Sequence, residues 1–65
     1  MKLYEVPRNT RVRVLEAEAP PPGALAVDVG QEVIFHHIDG MYSYCTDPME
    51  HTVVHLKAWT EVEIV

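Results

Sequence analysis

Only one cysteine, Cys45, occurs in the 65 residues, and a lone cysteine excludes an internal disulfide framework. No apolar run reaches 18 residues and no basic-then-apolar leader opens the chain, so neither a membrane span nor a secretory address is expected. The expectation is a soluble protein of a reducing cytosol. Positive charge is also scarce, because five Lys and Arg stand against ten Asp and Glu for a formal charge of -5. A field of that sign repels long nucleic acids. Sustained 3.6-residue periodicity is missing as well, which argues against helices. Finally, a chain this short forms one domain, residues 1–65, and buries only about 60% of its unfolded surface. With no disulfide to help, homo-oligomerisation is the expected supplement.

What the chain does contain is alternation. The stretch Val33-Ile-Phe-His-His-Ile-Asp-Gly-Met-Tyr-Ser-Tyr-Cys45 places two β-rich runs around Asp39-Gly40, a pair suited to a two-residue type I′ hairpin loop. That loop predicts His37 opposite Tyr42, Phe35 opposite Tyr44 and Ile34 opposite Cys45. Strict alternation then groups Ile34, His36, Ile38, Met41, Ser43 and Cys45 on one face, and Val33, Phe35, His37, Tyr42, Tyr44 and Thr46 on the other. Neither set is plainly polar, so either can cover the core while its opposite meets a ligand or another subunit.

The flanking segments extend the pattern. Lys2–Val6 reads as a short strand stopped by Pro7, followed by a turn at Pro7–Thr10 and a strand from Arg11 in which Arg11, Arg13 and Leu15 oppose Val12 and Val14. Glu16 to Gly23, with three consecutive prolines, is a surface loop biased toward polyproline II, either a stiff connector or a proline motif for a partner. Leu25–Val29 is a strand or extended arm. The run Val27 to Phe35 looks like the bend that opens the hairpin sheet of SH3-like small barrels. After a turn at Asp47-Pro48 come Thr52–Lys57, with Val53 and His55 on one face, and a last strand at Thr60–Val65. The fold expected is all-β: five or six short strands in a small SH3-like or related barrel, closed or partly closed.

His36, His37, His51, His55 and Cys45 are the metal candidates by residue type, but their spacing lacks ligand pairs. Adjacent His36 and His37 should point to opposite faces, and His51 and His55 should lie about 13 Å apart along one strand. Neither a metal nor another cofactor is expected. No nucleophile, base and oxyanion set is apparent, so the chain is not read as an enzyme. A different set stands out: Tyr42, Tyr44 and Trp59 with His36, His37, Arg11 and Arg13. Aromatic rings stack on bases and guanidinium groups fork onto phosphate. The same rings could equally be the bulk of a thin core, and the arginines solvated strand residues.

The segments Phe35–Cys45 (FHHIDGMYSYC) and Val54–Val62 (VHLKAWTEV), with the opening Lys2–Pro7 (KLYEVP), resemble a group of very short proteins of tailed bacteriophages. Small phage proteins of this size include oligomeric sponges of the cyclic nucleotide signals of CBASS defence. The resemblance implies a host-cytoplasmic immune-evasion protein that sequesters a cyclic dinucleotide without catalysis. Tyr42, Tyr44 and Trp59 would stack on bases, while Arg11, Arg13, His36 and His37 would meet phosphates and base edges. Inhibition of a host protein, or a structural or accessory role in the phage, are the alternatives.

Overall fold

The computed structural model describes residues 1–16, 22–23 and 25–65. Five antiparallel strands run through them: β1 (Thr10–Val14), β2 (Glu32–Asp39), β3 (Tyr42–Asp47), β4 (Thr52–Val54) and β5 (Val62–Ile64). They form one sheet in the order β4-β3-β2-β1-β5. The all-β class follows the alternation read from the sequence, but the expected barrel does not form. The sheet stays open, with β4 and β5 as its edges.

The reason lies in how backbone groups near those edges are used. The residues between β4 and β5 carry the chain from one edge to the other, and they pair with the N-terminal segment instead of closing a barrel. Leu3 N–H donates to Thr60 O at 3.0 Å, Tyr4 N–H to Ala58 O at 2.9 Å and Val62 N–H to Met1 O at 2.9 Å. The N-terminus thus acts as a strap. The predicted strand at Lys2–Val6 is, however, a 3₁₀ helix at Leu3–Glu5 with one isolated bridge between Lys2 and Glu61. Two-residue alternation misleads here because the buried pair is Leu3 and Val6, and residues three apart share one side of a 3₁₀ turn.

Val12, Val14, Val33, Phe35, Val54 and Val62 supply the core from the strands, and Leu3, Val6, Val27 and Leu56 cover it. Removing each such side chain from water is worth about 1.5–3 kcal/mol. The Leu25–Val29 segment is an arm without strand pairing, anchored by buried Val27. It turns at Gly30, whose positive φ of 90° suits glycine, and Gly30 N–H donates to Val14 O at 2.8 Å. Much of the predicted proline loop, residues 17–21, lies outside the described residues. The Asp47 turn forms as read: its carboxylate accepts the N–H groups of Met49 at 2.8 Å and Glu50 at 3.2 Å. Gln31 Nε2 also donates to this carboxylate, which ties the arm to the end of β3.

The strap can be tested by substitution. Leu3→Ala should cost about 2–5 kcal/mol in urea denaturation, as for other buried leucines, whereas Tyr4→Ala, at a side chain 60% exposed, should cost much less. Comparable losses at both positions would contradict the 3₁₀ geometry.

Candidate functional site

The central hairpin departs from the predicted register in two places. Asp39 pairs with Tyr42, so the loop is Gly40-Met41 rather than Asp39-Gly40. Of these two loop residues only Gly40 has positive φ, at 67°, which is the demand of a II′ rather than a I′ turn. The second departure is a β-bulge. Phe35 faces Cys45 and Ile34 faces Thr46, yet His37 faces Tyr44, so β2 spends one extra residue at His36.

That extra residue has an apolar cause. Without it, the face that carries Val33 and Phe35 would continue to His37 and leave Ile38 outside. With it, Ile38 packs against the core and His37 is exposed. The core-facing set is therefore Val33, Phe35 and Ile38 with Ser43 and Cys45, while Ile34, His36, His37, Tyr42, Tyr44 and Thr46 share the outer face. This corrects both sequence-derived faces. It also corrects the expectation that His36 and His37 point apart.

The outer face gathers imidazoles around one phenol. His37 stacks on Tyr44 with ring centroids 5.3 Å apart and planes 4° from parallel. His36 meets Tyr44 edge-on at 5.7 Å, and His55 does so at 5.9 Å. His55 arrives because the β3–β4 register continues past β4, as the Tyr42–Lys57 bridge shows. Its Nδ1–H donates to Ser43 O at 2.8 Å. The carbonyl can only accept, so Nδ1 carries the proton of this contact and the Nε2 edge of the ring is left for other partners. His36 is held from both ends, by Asn9 Oδ1 at 3.2 Å and Thr46 Oγ1 at 2.9 Å. His51 does not join them, since it occupies the turn before β4 with φ of 56°. Among the described residues no group of three or more His, Cys, Asp or Glu is arranged to hold a metal ion.

In the neighbouring row Tyr42 faces Lys57, and the Lys57 ammonium lies 5.9 Å from the centroid of exposed Trp59. Arg11 and Arg13 belong to a separate ionic ladder toward the Gly30 end of the sheet. Arg11 Nε meets Glu32 at 2.9 Å, and Arg13 meets Glu32 at 3.3 Å and Glu63 at 2.6 Å. Hydrogen bonds from Arg11 and then Arg13 hold the Glu32 carboxyl below its ordinary range. A groove of about 670 Å³ near this end is lined by Gln31, Glu32, Asp47 and Glu50, and of the expected site residues it takes in Arg11.

Sequence reading thus brought together the residues Tyr42, Tyr44, Trp59, His36 and His37 that the fold does gather on or beside one face. It missed His55 and Lys57 as members. The signal was available, because Val53, His55 and Lys57 alternate on one side, but it needed the β3–β4 register to be informative. Ser43 was also passed over: fully buried, it donates to Leu56 O at 2.9 Å and accepts Leu56 N–H at 3.2 Å. Cys45 lies beside it on the core side, and burial pushes its thiol upward. No family model, curated protein or solved structure matches the chain.

Two measurements follow from the electrostatics. Because the folded-state pKa of Glu32 is depressed, its stabilising contribution is present above the ordinary value of 4.5 and lost as pH falls through the folded value. The melting temperature should therefore drop on acidification below about pH 4.5, with a shallower slope in Glu32→Gln. The Cys45 thiol, kept neutral and enclosed, should react with iodoacetamide at neutral pH only as fast as the protein opens, and rapidly once urea unfolds it. Fast native-state alkylation would place Cys45 elsewhere than the core.

Proposed function

We propose that this chain is a non-catalytic binding protein of bacteriophage type. Its role would be to sequester a cyclic dinucleotide signal of host defence in the host cytoplasm, as a homo-oligomer. One observation carries the reading: the exposed ring of Tyr44 stands among His36, His37 and His55, beside the row that holds Tyr42, Lys57 and Trp59. Rings standing on a sheet offer stacking surface to a base, at about 1–3 kcal/mol per base. Imidazole nitrogens and an ammonium add hydrogen-bond and charge complements for base edges and phosphate. A buried, neutral thiol at Cys45 fits a role without chemistry.

The second reading is inhibition of a host protein through the same face, and the ionic ladder favours it. Arg11 and Arg13 are already engaged by Glu32 and Glu63, which leaves less positive charge for a doubly anionic ligand and suits a flat protein partner.

Titration calorimetry with a panel of cyclic di- and trinucleotides separates the two. On the first reading heat appears for at least one cyclic dinucleotide and none for long single-stranded DNA, and Tyr44→Ala weakens binding by about 1–3 kcal/mol. Arg13→Ala should matter less, since its guanidinium is held by two carboxylates. No heat or thermal shift with any nucleotide, together with one stoichiometric host protein retained in a pull-down, would replace the first reading by the second.

A further inference from the structure

We infer that the outer face of the sheet is the contact between two copies of this chain, packed face to face about a two-fold axis near Tyr44. Charge makes the first argument. The register places Arg11, Arg13 and Lys57 on this face, together with Glu32, Asp39 and Glu63. Three charges of each sign cancel, so the formal -5 belongs to the other residues of the chain. Off this face, among the described residues, Glu5, Glu16, Asp28, Asp47 and Glu50 outnumber Arg8, while the Lys2–Glu61 bridge continues the register of the face and adds one charge of each sign to it. Copies meeting through those surfaces repel each other, whereas copies meeting through the outer face do not.

Apolar character makes the second. Ile34, Thr46 and Val53 are register neighbours across β2, β3 and β4, and Tyr44 lies in the next row. Val53 is 41% exposed and Tyr44 37%, in positions where an antiparallel sheet with one wet face ordinarily carries polar side chains. Size makes the third. Five strands about 4.8 Å apart, the longest of eight residues, give each copy one continuous face to set against its partner. Sheets stacked this way sit about 10 Å apart, which leaves room for interleaved rings from both copies.

The arrangement rests on the proposed ligand site only in one respect: a flat sheet offers a nucleotide a single wall, and the second copy supplies the opposite one. Its test needs no nucleotide. Sedimentation velocity across the micromolar range should give twice the 7.4 kDa chain mass. Tyr44→Glu and Val53→Glu, each putting like charges on both sides of the axis, should return monomers whose circular dichroism and melting remain cooperative. Val29→Glu, at an exposed turn outside the sheet, should leave the dimer intact. A wild-type monomer throughout overturns the inference, and so does a dimer that survives both outer-face variants, which would then be held by the β4 or β5 edges. A monomer that still binds a cyclic dinucleotide sinks the interface and spares the ligand reading; a face-dependent dimer that binds none does the reverse.

Discussion

In a sheet with one dry face, the phase of the pleat is tightly constrained, because a slip of one residue turns every apolar side chain toward water. The bulge at His36 is where this chain resolves that constraint. Apolar residues at 33, 35 and 38 cannot all point inward on an unbroken strand, since 33 and 35 share a parity that 38 does not. One unpaired residue restores the phase, so that Ile38 joins the core and two consecutive imidazoles go outward. The cluster around Tyr44 is therefore a consequence of core packing. It exists because Ile38 is worth more inside than His37.

The rest of the molecule supports that hairpin with few residues. β4 and β5 are three residues each, and neither would hold alone. One is fixed through the Ser43 hydroxyl, which bonds both backbone groups of Leu56. The other is fixed by the N-terminal strap and by a charge cluster in which Lys2 and the terminal amine both meet Glu61 at 3.0 Å. Those partners hold Glu61 below its ordinary pKa, Lys2 first. Such exposed pairs add little individually, but they sit where the backbone is already paired and so favour one arrangement of the strap.

The outer face divides into zones with different chemistry. At one end the guanidinium groups and carboxylates of Arg11, Glu32, Arg13 and Glu63 neutralise each other across three strands. Toward the other end stand the rings, with Lys57 over Trp59. The division keeps the guanidinium–carboxylate pairs apart from the rings along the same face.

By composition and alternation alone, this chain was determined to be all-β, to lack an internal disulfide, and to turn at Asp47 and near Gly40. Alternation also separated Val12 and Val14 from Arg11 and Arg13, a division the core keeps. It could not settle the bulge, because a parity conflict at Ile38 has two local solutions, and only the shared core decides which one is taken. For the same reason it could not place His55 beside Tyr44, a contact between strands whose register depends on the β3–β4 pairing. Nor could it tell that Leu3 and Val6 enter the core from a 3₁₀ turn, which requires a crossover segment to accept the N–H groups of Leu3 and Tyr4. Whether Arg11 and Arg13 are open to a ligand was likewise undetermined. Glu63 is 50 residues from Arg13 in the chain, and only the pairing of β5 with β1 brings its carboxylate to the guanidinium.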